Sequence, residues 1–397
     1  MRLPDLRADP DRYTRVLATA HAQKTARCCR DPMLPIVVRC RNGRYHLACW
    51  PNEGPRHDPR CPFFHLAPAL SGRHTYSDAA IRETATGTVI RFAEPLTSRT
   101  GDPVGSQQGA VDSSGSTQRR RSVGALGVLH HLWESAKLNS WSARQCHRTW
   151  PAVADALGNE LADTVISGRR GDEAVYIVPP YRSDVAAANT ERFDRFLGSL
   201  HRDATRIRRG LILGELKAIR ETRYGVAYQL AHQSPQRQIF ATAALNDKLH
   251  RCHPVALGQA GERAGGRQLF LIYVERSPAG YAVALGGAVM LTTPDYIPAD
   301  SSYEIRMAGA LAAAGRSYIK PVAYDQAEAV LPDFVLTDQP DTYVEVWGLP
   351  GRESYEQRKA QKIAHYQRNV QTLIEWNVAQ PFPTIPPAPY AEPEGQK

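Results

Sequence analysis

Apolar residues follow two periodicities along this chain, and the switch between them divides it. Leu126, Leu129, Leu132, Trp133 and Ala136 recur at helical spacing, as do Trp150, Val153, Ala154, Leu157 and Leu161. Phe193, Phe196, Leu197 and Leu200 mark a third helix. Between them a short β-like run, Ala174-Val175-Tyr176-Ile177-Val178, stops at Pro179-Pro180. From Gly210 onward strand patterns dominate: Leu211-Ile212-Leu213, Val226-Ala227-Tyr228, Leu269 to Val274, and Tyr281 to Leu285. Pro278-Ala279-Gly280 supplies a hairpin turn between the last two. The final stretch opens with a helix capped by Ser301 or Ser302, carrying Ile305, Ala308, Leu311 and Ala312 on one side and ending at Gly315. Extended runs follow at Tyr318 to Val322, Leu331 to Leu336 and Thr342 to Gly348, the last two separated by a turn at Asp338-Gln339-Pro340-Asp341. A long helix is then expected from about Ser354 to Trp376, with Ala360, Ile363, Ala364, Val370, Leu373 and Ile374 as its apolar stripe.

Two stretches break this patterning. Residues 100–122 are rich in Gly, Ser and Gln and almost free of bulky apolar groups, so they read as a disordered linker. Residues 380–397 form a proline-rich tail, expected to be extended or disordered. The 397 residues correspond to two to four domains at roughly 100–200 residues each. The divisions drawn are a cysteine-rich module at 1–99, a helical region at 123–205, a β-rich region at 206–298 and a last domain at 299–379. Short helices followed by a strand make 123–205 winged-helix-like, although small helical domains of other function share that order. The β-rich region carries no legible catalytic motif.

The formal net charge is +9, largely from arginine, and such a field favours polyanions, with DNA as the expected partner. Arginine-rich codon usage is the plain alternative. No segment approaches a membrane span, and the N-terminal Met1-Arg2-Leu3-Pro4-Asp5 lacks a signal-peptide pattern, so a cytoplasmic location is expected. In a reducing compartment, clustered cysteines are metal ligands or plain thiols rather than disulfides.

Five of the seven cysteines, Cys28, Cys29, Cys40, Cys49 and Cys61, fall within one short stretch. His57 and His65 each lie three intervening residues from Cys61, a zinc-ligand spacing. Asn42-Gly43 joins the strand-like runs Ile36 to Arg41 and Arg44 to Cys49 as a two-residue hairpin turn. That register pairs Cys40 with Tyr45 and Cys49 with Ile36, leaving the two thiols roughly 13 Å apart. One ion with bonds of about 2.3 Å cannot hold both. Cys28, Cys29, Cys49, His57 and Cys61 therefore remain as candidate ligands of a structural Zn²⁺, with free buried thiols as the alternative.

Asp333 and Glu345 sit on the two expected antiparallel strands, Glu304 lies on the helix before them, and Tyr355, Arg358, Lys359, Lys362 and Tyr366 share one face of the helix after them. A helix, a β-hairpin with one acid per strand and a second helix is a layout that resembles the PD-(D/E)XK nuclease superfamily. Pro332-Asp333 fits the first half of its motif and Glu304 the acid of its first helix. The resemblance implies that Asp333 and Glu345 bind Mg²⁺ or Mn²⁺, whose demand for hard oxygen ligands two carboxylates meet. It implies an ion that activates water and shields charge on a scissile phosphate. The motif lysine is replaced by Trp347, and Lys359 and Lys362 are the candidates to supply it from the next helix. Lys362 is expected as the catalytic group, Lys359 as a phosphate contact, and Tyr355, Arg358 and Tyr366 as DNA contacts.

The whole chain also resembles an uncharacterised bacterial family found on integrative and conjugative elements. The resemblance rests on Cys28-Cys29, Arg56-His57-Asp58-Pro59-Arg60-Cys61, Leu129-His130-His131-Leu132-Trp133-Glu134, Leu138-Asn139-Ser140-Trp141 and Gly214-Glu215-Leu216-Lys217. Members carry Cys-x-Cys where this chain has adjacent cysteines. The combined expectation is an α+β multidomain protein: an N-terminal zinc-binding β-hairpin module, a helical winged-helix-like and β-rich middle, and a C-terminal α/β restriction-endonuclease-like domain. The expected function is a Mg-dependent DNA endonuclease of a mobile element, working beside other proteins of that element. A non-catalytic DNA- or protein-binding accessory factor, or an enzyme acting on RNA, is the alternative.

Overall fold

In a computed structural model that describes residues 6, 9, 11–28, 33–41, 44–99, 120–324, 331–348, 353–368 and 372–389, the chain is a mixed α+β protein. The N-terminal part holds α1 (Thr14–Gln23) and the hairpin β1 (Ile36–Arg41) and β2 (Arg44–Cys49), followed by β3 (Ile81–Thr84), β4 (Gly87–Ile90) and β5 (Thr97–Arg99). The β1–β2 register pairs Ile36 with Cys49 and Cys40 with Tyr45. Leu17 of α1 and Val38 of β1 are buried together against Tyr45 and Leu47, the small core of this module.

Next come α2 (Ala125–Ser135), β6 (Ser140–Trp141), α3 (Trp150–Ala162), β7 (Thr164–Ile166), β8 (Arg169–Arg170), α4 (Gly171–Ala174), β9 (Val175–Ile177) and α5 (Ala186–Ser199). Strands of this region are shared out among other parts of the chain. β7 extends β3–β4 with β8 outside it, β9 joins a central sheet, and β6 lies at the edge of the C-terminal sheet.

The β-rich stretch contributes β10 (Arg206–Arg208), β11 (Gly210–Thr222), β12 (Gly225–Leu230), β13 (Ile239–Ala241), α6 (Ala243–Cys252), α7 (Gln259–Arg263), β14 (Arg267–Arg276) and β15 (Ala282–Thr292). Its six-stranded sheet has the order β12-β13-β15-β14-β11-β9, and β12 also pairs with β11, closing it on itself. Period-two alternation puts Leu211, Leu213, Leu269 and Leu271 on one face, buried with Leu129, Leu132 and Trp133 of α2 and Val153 and Leu157 of α3. Ile212, Phe270 and Ile272 face the other way, onto Phe193 and Leu197 of α5. A sheet covered on both faces explains why these strands read as unbroken apolar runs.

The C-terminal part comprises α8 (Ser302–Ala313), β16 (Tyr318–Ile319), β17 (Phe334–Leu336), β18 (Thr342–Trp347), α9 (Glu353–Arg368) and β19 (Thr372–Asn377). Its sheet runs β19-β18-β17-β16-β6, antiparallel except for the β18–β19 pair. α8 covers one face, where Met307, Ala308 and Leu311 are buried with Val344 and Phe334. α9 covers the other, where Tyr343 stacks on Tyr366 with ring centroids 5.5 Å apart. The long helix expected to Trp376 is corrected here. It ends at Arg368, and Thr372–Asn377 pairs instead with β18 from Thr342 to Trp347. Leu373 and Ile374, counted on a helical stripe, lie on a strand because β18 would otherwise present an unpaired edge. The first part of the expected tail also packs: Phe382 meets Trp376 edge-on at 4.7 Å, and Pro386 accepts a hydrogen bond from Arg316. Residues 100–119 of the expected linker, the Asn42-Gly43 turn and residues 390–397 lie outside the described residues.

One contact ties the middle of the chain to this sheet. Asn139, buried, donates through Nδ2 to the Lys320 carbonyl at 2.9 Å and accepts from the Lys320 amide at 2.8 Å. Asn139→Ala leaves that carbonyl without its side-chain donor. Denaturant unfolding should show a loss of about 1–3 kcal/mol with an unchanged m value, and an unmoved midpoint would dismiss the contact as a support.

Candidate functional site

Continuing the β17–β18 register, Phe334 opposite Val344, places Asp333 opposite Glu345 on one face of the hairpin. Asp333 Oδ2 accepts the Val346 amide at 2.7 Å, which fixes the carboxylate against the neighbouring strand. Glu345 is almost fully buried, and α9 brings its two closest partners. Lys362 Nζ lies 3.1 and 2.9 Å from Oε1 and Oε2 and also donates to the Leu331 carbonyl at 2.7 Å. Tyr366, one helical turn further on, donates its hydroxyl to Glu345 Oε1. Tyr366 is thus a buried member of the acid cluster rather than an outer contact.

Trp347, where the resemblance leads a lysine to be expected, is buried and donates its indole N–H to Glu375 of β19 at 2.9 Å. Lys359 Nζ sits 5.0 Å and Lys362 Nζ 5.8 Å from its ring centroid, both over the ring. The side chains of Tyr355 and Arg358 lie outside what the structure describes.

Glu304 arrives from the first turn of α8, which Ser301 caps by accepting the Glu304 amide at 3.1 Å. Its partner was not legible in the sequence. Lys320, just after β16, is 3% exposed and holds Glu304 Oε2 at 2.9 Å, Asp300 Oδ2 at 2.8 Å and Asp333 Oδ1 at 4.0 Å. The available signal was a single charge inside the apolar run Tyr318-Ile319-Lys320-Pro321-Val322.

Four carboxylates therefore face two ammonium groups, and if all four were ionised two negative charges would be left over. The titration of the acids reflects this. Burial, reinforced by Asp333 and Asp300 and opposed by Lys320, pushes Glu304 up to about 7. Burial and the Glu345 charge, against Lys320 and Lys362, push Asp333 up to about 6. Glu345 is raised by burial as well, although Lys362 and Tyr366 pull it back. Lys320 stays charged well above the ordinary lysine range because Asp300, Glu304 and Asp333 outweigh its burial. A divalent cation matches the missing charge, and the donors are the hard oxygens that magnesium prefers. Asp333 and Glu345 thus offer hard oxygen donors, with both Glu345 oxygens held by Lys362.

A second cluster lies in the N-terminal module. Cys28, His57 and Cys61 are buried with their ligand atoms all within 4.8 Å of one another. Cys28 Sγ and Cys61 Sγ are 3.5 Å apart, and Cys61 Sγ is 3.6 Å from His57 Nδ1. Bonds of about 2.3 Å to sulfur and 2.0 Å to nitrogen give a tetrahedron with edges of roughly 3.5–3.8 Å, so these residues suit zinc. Burial lowers the His57 pKa, keeping the imidazole in its neutral, metal-binding form. Cys49, expected among the ligands, is outside this group: its thiol donates to the Trp50 carbonyl at 3.3 Å, and burial pushes it up to about 11. Hairpin register brings Cys49 near the cluster but turns it toward a separate cleft. Cys40 is exposed near the turn. Cys29 lies outside the described residues.

That cleft, about 1440 Å³, lies away from the acid cluster. Cys49, His65, Arg73, Glu134 and Lys137 are among its lining residues. Its charges are partly spent on one another, with Arg73 paired to Glu83 and Arg39 to Asp163. The acid cluster, where like charges converge under cover, is the stronger sign of chemistry.

The chain belongs to a family described as protein of unknown function (DUF1173), which it matches over residues 5–379. No curated protein and no solved structure matches it. Among the described residues, no helix is long and apolar enough to cross a membrane.

Two outcomes follow from these geometries. Elemental analysis should find close to one zinc per chain, lost with a lowered melting temperature in Cys28→Ser or Cys61→Ser and retained in Cys40→Ser. Metal-free wild-type protein with an intact N-terminal module would rule the site out. The acid cluster makes a pH prediction. Acids with raised folded pKa hold their protons more tightly when folded. The stability they contribute is therefore full below the unfolded values of 3.8 and 4.5 and is lost as pH rises through about 6 and 7. Without magnesium, the melting temperature should fall between pH 5 and 8, and Glu304→Gln should flatten that slope. Equal slopes in both proteins would contradict the assignment.

Proposed function

We propose that the chain is a metal-dependent endonuclease that hydrolyses phosphodiester bonds in DNA. The observation that carries this reading is the pair Asp333 and Glu345, opposed across β17 and β18 and joined there by Lys362 from α9. The order α8-β16-β17-β18-α9-β19 around them resembles the PD-(D/E)XK nuclease core. Asp333 and Glu345 would hold Mg²⁺ or Mn²⁺, whose chemistry there is to acidify bound water and screen the phosphate charge. Lys362 is the catalytic cation supplied from the helix in place of the strand position filled by Trp347. Tyr366 fixes the rotamer of Glu345, and Lys359 sits on the Trp347 ring as a phosphate contact. The net charge of +9 supplies attraction to the polyanion. The Cys28-His57-Cys61 cluster is a structural zinc site in this reading. The sequence resemblance to proteins of integrative and conjugative elements supports a role in DNA transfer, maintenance or defence beside other proteins of such an element.

One observation favours a second reading, a non-catalytic DNA- or protein-binding accessory factor. Lys362 pairs with both oxygens of Glu345, an internal neutralisation that an inert relic would keep. Cleavage assays separate the two. With Mg²⁺ or Mn²⁺ and plasmid DNA, wild type should nick or cut, and Asp333→Ala should abolish cleavage with little change in melting temperature. Lys362→Ala should cost roughly 100-fold or more in turnover with binding retained, whereas Lys359→Ala should weaken binding and flatten its salt dependence. Equal activity of wild type and Asp333→Ala would remove the enzyme reading, and DNA binding without cleavage would establish the accessory one.

A further inference from the structure

The cleft beside the cysteine cluster holds a lysine in an unusual place. α2 ends in two nested backbone bonds, from the Leu138 amide to the Trp133 carbonyl at 2.9 Å and from the Lys137 amide to the Glu134 carbonyl at 3.1 Å. Such a termination needs one left-handed residue, a position glycine fills without strain, and Lys137 takes it with φ of 59°. The helix end gains nothing from a side chain there; the cleft does. Lysine is also the rarer cation in this chain, eight of the 49 Lys and Arg residues. An arginine would keep its charge in any surroundings, whereas an ammonium can give up a proton and become a nucleophile. We infer that Lys137 is a nucleophilic amine that takes a small aldehyde from the cleft as an imine, with Glu134 carrying the protons. This site is separate from the acid cluster and does not rest on the nuclease reading.

The nitrogen of Lys137 donates to the Phe64 carbonyl, and no ion pair joins it among the described residues. Burial, opposed by Glu134, Cys49, Glu160 and Cys61, pushes its pKa down to about 7. Glu134 lies one turn before it and lines the same cleft. Its Oε2 accepts the Tyr324 hydroxyl at 2.7 Å and the Ser71 hydroxyl at 3.1 Å, which leaves Oε1 without a hydrogen-bond partner among the described residues. Burial raises the pKa of this carboxyl against those two bonds, so it keeps a proton to give. A second left-handed residue, Tyr324 with φ of 39°, is thus used to position the acid. An anion is the poorer occupant, because Arg73 and Arg39 are paired with Glu83 and Asp163, and Glu134 and Glu160 stand in the same cleft. Trp50, Phe63 and Leu66 offer apolar walls to an uncharged ligand. In the condensation the Nζ–C bond forms and the C–O bond breaks. Both amine hydrogens leave with the aldehyde oxygen as one water. Glu134 passes them from nitrogen to oxygen and ends protonated as it began, and nothing is oxidised or reduced.

The test traps the imine. Full-length protein is held with benzaldehyde at neutral pH, reduced with borohydride and mapped by peptide mass spectrometry. Lys137 should take the benzyl group about ten-fold or more faster than the exposed Lys24, Lys217 and Lys248. Glu134→Gln should slow that labelling by about 100-fold. Removing an acid beside an ammonium by itself favours the free amine, so a slower reaction marks the lost proton carrier. Lys137→Met should lose the label; should that variant not fold, Lys137→Arg, which keeps a cationic stem, replaces it. Asp333→Ala should label at the wild-type rate, which separates this site from the acid cluster. Label spread evenly over the lysines, or Lys137 the slowest of them in folded wild type, would overturn the inference. Glu134→Gln reacting as fast as wild type would overturn the part given to Glu134.

Discussion

Everything at the C-terminal end depends on keeping like charges out of water beside one another. Glu304, Asp333 and Glu345 are each largely covered, and each resists ionisation through burial first. Such a group of acids is costly to bury unless cations are brought in with it. The chain brings them from two directions, Lys320 from the end of β16 and Lys362 from α9. The two lysines neutralise different acids, which leaves Asp333 as the least compensated: its nearest ammonium is 4.0 Å away. An arrangement built only for stability would pair Asp333 as closely as the others. The least compensated charge lies on Asp333, beside a Glu345 that Lys362 already pairs.

The pieces that meet this demand come from far apart in the chain. Leu138-Asn139-Ser140-Trp141 lies between two helices that cover the central sheet, yet its backbone supplies the edge strand β6 beside β16. The same four residues place Asn139 against the backbone of Lys320. A motif that looks like a helix-to-helix connection therefore completes the C-terminal sheet and positions one of its lysines. The middle region and the last domain are coupled through that clasp.

What the sequence discloses depends on whether the deciding interaction is local. The β1–β2 register is legible because a two-residue turn fixes it and period two then assigns every pair, Cys40 with Tyr45 included. The acids are legible because one hairpin carries both. Lys362 and Tyr366 share a helix face with Lys359 by simple counting, and that face meets Glu345 and Trp347. Three features depend on partners that sequence spacing does not reveal. Thr372–Asn377 is a strand because β18 offers an edge; its apolar residues alone fit either period. Lys320 belongs to the cluster because α8 folds back over the sheet. Cys49 drops out of the metal group because proximity along a hairpin does not set the direction of a thiol.

Trp347 is where local reading and tertiary structure differ most in meaning. Against the nuclease-like pattern expected from the sequence, it stands where a lysine is looked for. In the folded chain it is a platform: buried, tied to Glu375 through its indole N–H, and facing two ammonium groups from the next helix at 5.0 and 5.8 Å. A lysine at 347 would have introduced a third cation beside Lys359 and Lys362, with mutual repulsion under cover from solvent. An aromatic ring does the reverse, since its negative face attracts both. With the cations on the helix, an apolar, π-rich residue at 347 is the physically consistent partner of Lys362. Trp347 and the two lysines of α9 form one arrangement.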